Sequence, residues 1–212
     1  MNILYEDNHL IAVEKRASQL TQGDSSKKTS LMDEVKAFIK QRDNKQGNVF
    51  LGLLHRLDRP VGGVVLFAKT SKGASRISAQ IRNHEWEKEY EAVVEGTPPE
   101  HGTVRQWLLK DRNKNRVTAY DRQVKDSQYA ELKFKRLSSG STSRVQIIPI
   151  TGRSHQIRVA MASLGTPIAG DKKYGANTDY KNGQIALYAC ALLFRHPITE
   201  DPIEVRLPSP FL

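Results

Sequence analysis

The sequence is poor in cysteine and in long apolar runs, and each shortage excludes a class of protein. The single cysteine, Cys190, excludes an intrachain disulfide and any zinc site built from several cysteines. The six histidines form neither a His-Glu-x-x-His motif nor a zinc-deaminase signature, so the sequence predicts no metal site. No run approaches the ~20 apolar residues that a membrane span requires. The N-terminus reads MNILYEDNHLIAVEK and carries charge too early for a secretory signal, so we expect a cytoplasmic protein without a membrane partner.

Acidic residues are also in short supply relative to basic ones. The chain has 33 Lys and Arg against 23 Asp and Glu, a net charge of +10 and a pI of about 9.7. An excess of this size favours a polyanionic partner, because each cation that meets a phosphate releases condensed counterions. The alternative is a basic soluble protein without a nucleic-acid partner. Charge therefore favours nucleic acid without identifying it.

Hydrophobic patterning predicts one α+β domain over residues 1–212, with a mixed, mostly antiparallel central sheet and flanking helices. The predicted strands lie near residues 3–5, 10–13, 63–69, 88–96, 129–137, 143–150, 185–194 and 203–207. The predicted helices span residues 31–39, with Ser30 as cap, residues 71–83, and residues 152–164, closed by Gly165. Residues 16–29 are polar and predicted to form a loop.

Residues 98–126 are polar and rich in lysine and arginine. Runs of charge are usually solvated, so this segment is either a solvated loop or an insert that faces RNA. The sequence leaves both interpretations open.

Three short segments carry side chains suited to chemistry. Asp58 lies in HRLDRP, between arginines and just before a buried strand. Tyr90 lies in KEYEAVV, near the start of a strand. TGRSHQIR, residues 151–158, opens the third predicted helix. Each also has a structural interpretation: a surface ion pair, an ordinary strand aromatic and a basic helix end.

The TGRSHQIR segment predicts two different arginine environments. Arg153 and Ser154 would lie in the first helical turn, where free backbone N–H groups bind anions. Arg158 lies beside Ile157 at the edge of the apolar stripe, where an arginine can reach inward to a buried acid. We therefore expect Arg153 to meet phosphate and Arg158 to pair with a carboxylate.

In this order and spacing, HRLDRPVGG, KEYEAVVEG and TGRSHQIRVAMASLGTPIAGDKKYG closely resemble the RluA family of RNA pseudouridine synthases. The resemblance covers nearly the whole chain, and we expect a catalytic domain alone. It implies a central, mostly antiparallel sheet crossed by an RNA cleft. It also implies that uridine within RNA is isomerised to pseudouridine with no cofactor.

The resemblance assigns roles to particular residues. Asp58 would be the catalytic aspartate, Tyr90 the active-site tyrosine and Arg158 the basic partner of Asp58. Arg56 would help to displace the target base. The remaining candidates for RNA contacts are Arg153, His155, Lys172 and Lys173.

The sequence departs from the family pattern at a few positions. Members often have Lys-Pro-x-Gly where this chain has Lys15-Arg16-Ala17-Ser18. Two further departures are Gly62, where a serine is often found, and Ala160, where a histidine is often found. None of these positions is an assigned catalytic residue, so the departures concern RNA contacts and substrate choice.

Isomerisation through a carboxylate requires an acid that stays ionised in a site from which bound RNA excludes water. Desolvation raises the pKa of an acid and a nearby guanidinium lowers it, which is the expected reason for arginines around Asp58. The carboxylate would attack either C1′ of the ribose or C6 of uracil, once the uridine has left its stack.

Two other functions are compatible with parts of the pattern. A non-catalytic RNA-binding module would keep the fold and charge but would not require Asp58. A glycosidic-bond hydrolase usually needs a second acid or a metal, and no paired carboxylate is evident. We expect ribosomal or transfer RNA as partner, no obligate protein partner and a monomer.

Overall fold

The computed structural model describes residues 1–24 and 28–211, so three residues of the predicted loop at 16–29 (residues 25–27) lie outside the described residues. The contacts of the chain divide into two compact units, and the single catalytic domain over residues 1–212 stays a prediction. Unit 1 contains Met1–Trp86 and Ala191–Leu207, and unit 2 contains Glu87–Cys190 and the residues from Pro208 onward. Among the described residues, no helix is long and apolar enough to cross a membrane.

Three α-helices, two short 3₁₀ helices and eleven strands are described. The α-helices are α1 (Leu31–Arg42), α2 (Ser71–Arg82) and α3 (Gln156–Ser163). The strands are β1 (Ile3–Glu6), β2 (Leu10–Lys15), β3 (Gly52–Leu53), β4 (Gly62–Ala68), β5 (Glu87–Glu95), β6 (His101–Asp111), β7 (Arg116–Tyr120), β8 (Gln128–Arg136), β9 (Thr142–Pro149), β10 (Leu187–Arg195) and β11 (Pro202–Arg206).

Unit 1 is built on a continuous antiparallel ladder between β2 and β4. The ladder runs from the pair Leu10–Ala68 to the pair Lys15–Gly63, and β1 adds to the outer edge of β2. Every residue of β4 is buried, as a continuous apolar run predicts for a central strand. The ladder therefore ends with Lys15, a charged residue, inside the unit.

The first helix begins where the sequence predicts. Ser30 forms a capping box with Asp33: its hydroxyl accepts from the Asp33 backbone, and the Asp33 carboxylate accepts from the Ser30 backbone. The buried residues Leu31, Val35 and Ile39 lie on one face at helical spacing. The predicted cap and apolar stripe are both confirmed.

Unit 2 contains five antiparallel strands in the order β5-β9-β8-β6-β7. The predicted pair at residues 129–137 and 143–150 is confirmed as β8 and β9. The segment 98–126 contains a hairpin of β6 and β7 that the sequence interpretation missed. One face of this hairpin is charged and exposed, which obscured the strand pattern. The α+β class with mostly antiparallel pairing is confirmed.

The third helix is shorter than predicted. It begins at Gln156 rather than at residue 152, because His155 takes a left-handed conformation (φ 52°). Arg153 therefore precedes the helix, and its backbone N–H donates to Gln156 Oε1 at 2.9 Å. The prediction that Arg153 and Ser154 lie in the first turn is wrong, whereas Gly165, with φ 75°, follows the end of the helix as predicted.

Candidate active site

The loop that carries Asp58 is fixed through its backbone on both sides. The buried Thr21 hydroxyl donates to the Leu57 carbonyl at 3.0 Å and accepts from the Leu57 N–H at 3.3 Å. Val61 N–H donates to the Asp58 carbonyl at 3.0 Å, which closes a turn. The Asp58 side chain itself is only partly buried. A rigid backbone thus presents a carboxylate that solvent or a ligand can reach.

A buried lysine lies beneath this loop. Lys15 is completely buried, and its Nζ donates to the carbonyls of Arg59 at 3.2 Å, Val61 at 2.7 Å and Arg16 at 3.1 Å. Burial lowers the pKa of Lys15 to about 8, and attraction to the Asp58 carboxylate opposes this lowering. The ammonium group is therefore protonated at neutral pH. It binds the loop together and places positive charge close to Asp58.

The arginines of the same segment are less enclosed than Lys15. Arg56 and Arg59 are both exposed. The guanidinium of Arg59 donates to the Ser18 carbonyl at 3.3 Å, which ties the loop to the residues that follow β2. Lys15 is thus a buried cation of unit 1 that acts on Asp58, and it comes from a strand that the motif does not include. The assignment of Arg56 to base displacement stays a prediction.

In unit 2, Arg158 is held by a buried carboxylate. Its Nε and Nη2 donate to the two oxygens of Asp171, each at 2.7 Å. The side chains of Arg158 and Asp171 are 7% and 1% exposed, so both charges are withdrawn from water together. A two-point contact of this kind fixes the plane of the guanidinium. The predicted pairing of Arg158 with a buried acid is thus observed with Asp171, and a role toward Asp58 stays a prediction.

The ring of Tyr174 packs against the same guanidinium. The Arg158 guanidinium carbon lies 5.0 Å from the centre of the Tyr174 ring, within the range of a cation–π contact. The Tyr174 hydroxyl accepts from the Val117 N–H at 2.9 Å and lies 2.6 Å from His155 Nδ1. His155 is 8% exposed. It directly precedes α3, and its predicted contact with RNA stays a prediction.

Tyr90 lies on β5, with its backbone opposite Ile147 of β9. Its side chain is 9% exposed and shares the buried face of the strand with Ala92 and Val94. The alternation of KEYEAVVE thus turns the ring inward. The assignment of Tyr90 as the active-site tyrosine stays a prediction.

The basic candidates for RNA contacts in unit 2 make contacts of their own. Arg153 precedes α3, and Lys172 and Lys173 lie in a short 3₁₀ helix, Lys172–Tyr174. Arg153 Nε donates to the Tyr129 carbonyl at 2.9 Å. Lys172 Nζ donates to the Asn177 carbonyl at 2.8 Å, and Lys173 Nζ to the Asn115 carbonyl at 2.9 Å. All of these contacts are exposed to solvent and leave donors available for phosphate.

The sequence interpretation missed three supporting residues. Lys15 appeared only as the start of a departure from the family pattern, although a lysine at the end of the apolar run LIAVEK was a signal. Asp171 stands directly before the two lysines assigned to RNA and was passed over. Thr21 had no distinguishing signal, because its role depends on a loop that is distant in sequence. Within residues 1–24 and 28–211, no group of three or more His, Cys, Asp or Glu could hold a metal ion.

Comparisons with known proteins identify the family of the chain. Residues 9–163 match the family model described as RNA pseudouridylate synthase. Ribosomal large subunit pseudouridine synthase C of Buchnera aphidicola is 35% identical over 97% of this chain, and the chain spans 66% of that relative's length. tRNA pseudouridine synthase C of Vibrio cholerae is 32% identical over 97% of this chain and 90% of the relative.

Solved structures show the same fold. Human RNA pseudouridylate synthase domain containing 4 superposes with a TM-score of 0.81 at 23% identity, over 99% of this chain and 89% of that one. Human RNA pseudouridylate synthase domain containing 1 gives a TM-score of 0.77 at 21% identity, over 100% of this chain and 84% of that one. With the family model matching most of the chain, the resemblance read from HRLD, KEYE and HQIR is confirmed: the chain belongs to the RNA pseudouridylate synthases, isomerases that act on RNA.

Proposed function

We propose that this chain converts uridine in structured RNA to pseudouridine, with Asp58 as the nucleophile. The observation that carries the proposal is the construction of the Asp58 loop. Its backbone is fixed on both sides, a buried ammonium lies beneath it, and the carboxylate remains accessible. A nucleophile needs this combination of rigidity and access.

The reaction is an isomerisation, so atoms balance without a co-reactant. The N1–C1′ bond breaks, the base turns, and a C5–C1′ bond forms. C5 loses its proton to solvent and N1 takes up one proton, so uridine and pseudouridine have the same composition. A carboxylate can carry the reaction through a covalent adduct at C1′ or at C6. In either route the adduct collapses and the free carboxylate is restored.

The target uridine must leave its stack to reach Asp58. In this proposal Tyr90 stacks on the extruded uracil, and Arg158 contributes positive charge at the carboxylate. Arg56 helps to displace the base, while Arg153, Lys172 and Lys173 contact phosphates. His155 acts indirectly, through Tyr174, to hold the start of α3.

The names of two similar proteins indicate the class of RNA. One similar protein is named for the large ribosomal subunit and another for transfer RNA. The net charge of +10 suits either polyanion. We propose ribosomal or transfer RNA as the substrate class.

The test is release of tritium from RNA labelled at uridine C5, with unmodified ribosomal and transfer RNA offered separately. The wild type is expected to release tritium from one of them, and Asp58→Asn is expected to release none. Asp201→Asn, an exposed acid of the same unit, is the matched control and should behave as wild type. Release that survives Asp58→Asn would overturn the assignment. RNA binding without release would favour a non-catalytic module, and free uracil would indicate a hydrolase.

A further inference from the structure

Three aromatic side chains form a row across neighbouring strands of unit 2. Trp107 of β6 is paired with Tyr120 of β7 on one side and with Tyr129 of β8 on the other. Cross-strand partners project from the same face of a sheet, so the three rings lie side by side. The Trp107 and Tyr129 rings meet edge to face, with centroids 5.6 Å apart.

This row lies on the open face of the sheet. The alternate residues Leu108, Val117 and Ala130 point to the other face, where they form a core with Val159 of α3. By contrast, Tyr120 and Tyr129 are 36% and 37% exposed. Large aromatics are not usually left in water when the chain offers a core to bury them.

Cations lie on the same face, along the strands to one side of the row. Arg105 precedes Trp107 by two residues, and Lys133 and Lys135 follow Tyr129 along β8; all three are exposed. Between residues 101 and 136 the chain has ten Lys and Arg and four Asp and Glu. The surface therefore combines exposed rings with a clear excess of positive charge.

One acidic residue fixes two members of the surface. Glu131 accepts from the Tyr129 hydroxyl at 2.6 Å and forms an ion pair with Arg105 at 3.2 Å. Contact with the Glu131 carboxylate raises the pKa of the Tyr129 hydroxyl, so this tyrosine stays protonated and continues to donate. The ring and the guanidinium are thus held in place before any ligand arrives.

We propose that this aromatic row binds unpaired nucleotides of RNA by stacking, with Arg105, Lys133 and Lys135 contacting phosphates. Rings flanked by cations on an open sheet suit a single strand, because every base has a face to stack and every linkage a negative charge. A protein partner would gain from the positive charge only if its own surface were acidic, whereas every RNA strand carries phosphates. The surface lies apart from Asp58 in the sequence and goes beyond the isomerisation, since it holds RNA without reacting with it.

Tryptophan fluorescence gives a direct test. The chain has two tryptophans, and Trp86 is 7% exposed in the core of unit 1. The probe is an oligoadenylate of about twelve nucleotides, within the usual site size, which has no uridine to react. It should quench Trp107 emission saturably. Trp107→Phe should retain binding within about threefold and lose most of the quenching, because the ring still stacks but no longer emits.

Removing the two flanking rings tests the energetic contribution. Tyr120→Leu combined with Tyr129→Leu should weaken binding of the oligoadenylate roughly tenfold or more. Tyr120→Phe with Tyr129→Phe, which keeps both rings, should stay near wild type. Phe50→Leu removes an exposed ring of unit 1 and is the matched control. An RNA duplex of the same length should bind more weakly than the single strand.

Three outcomes would overturn the inference: no binding of the oligoadenylate, binding that leaves Trp107 emission unchanged, or full affinity in the double leucine variant. Asp58→Asn separates this inference from the proposed catalysis. It should abolish tritium release and leave oligoadenylate binding intact, so either idea can fail without the other.

Discussion

The loop of Asp58 in unit 1 and the arginine of α3 in unit 2 are supported in opposite ways. Asp58 is partly exposed, and the buried ion beneath its loop is the ammonium of Lys15, which binds carbonyl oxygens. Arg158 is buried, and its support is the carboxylate of Asp171 in a two-point ion pair. Carbonyl dipoles balance the buried charge of Lys15, whereas a full opposite charge balances that of Arg158.

The difference has a consequence for how each support responds to change. Carbonyl dipoles compensate an ammonium only in part, so the pKa of Lys15 falls to about 8 and its charge is close to being lost. An ion pair compensates both charges, but removal of one partner leaves the other as a buried charge that has lost this compensation. The first support is therefore sensitive to pH, and the second is sensitive to mutation.

The largest effect is expected for Asp171→Asn. The change removes the buried two-point partner of the Arg158 guanidinium, which costs about 3–5 kcal/mol of unfolding free energy. It should also lower tritium release, because the guanidinium loses its fixed plane. Urea denaturation measures the first effect. Asp179→Asn is the matched control, because the Asp179 side chain is 95% exposed. If Asp171→Asn lowered the unfolding free energy by less than about 1 kcal/mol, the two supports would not differ in their sensitivity to mutation.

The next effect is the pH dependence of unit 1. Since the pKa of Lys15 is about 8 in the fold and 10.5 in the unfolded chain, the unfolded state binds more protons between these values. The cost of the buried charge is fully present below pH 8 and is relieved as the pH rises toward 10.5. Relative to Lys15→Met, the wild type should therefore gain about 3 kcal/mol of stability over that range.

Lys15→Met also separates stability from activity. At pH 7 its effect on stability should be small, because the loss of hydrogen bonds to Arg59 and Val61 is offset by removal of a buried charge. Activity should fall about tenfold or more in kcat, since the Asp58 loop is released. Lys72→Met, an exposed lysine of α2, is the control. Full activity in Lys15→Met would show that the loop holds its shape without the lysine.

The smallest effect is expected for Thr21→Val. This substitution keeps the shape of the side chain and removes the hydroxyl that bridges the N–H and carbonyl of Leu57. It should cost about 1–2 kcal/mol of unfolding free energy. Thr118→Val, at an exposed position of β7, should cost almost nothing. Equal effects at the two positions would argue that the Asp58 loop does not depend on Thr21.

Much of the fold was predictable, and the failures have local causes. The Ser30 cap and the buried strand before Lys69 follow from short-range rules, because caps and apolar runs act within a few residues. The hairpin at 101–120 was missed because half of its strand residues face water, and several of these carry charge. The predicted start of α3 was four residues too early, because His155 adopts a left-handed conformation. Such a conformation is uncommon for residues other than glycine, so the sequence did not predict it.

The sequence by itself determined the family and the chemistry at issue. A lone acid among cations, a strand tyrosine and a basic segment before a helix can be identified from residue order, because motifs are local. The tertiary structure alone decided the supports. Lys15 reaches the Asp58 loop across 46 positions and Asp171 reaches Arg158 across 13, since folding brings together groups that no short window contains. The row of Tyr120, Trp107 and Tyr129 likewise exists only once three strands are in register.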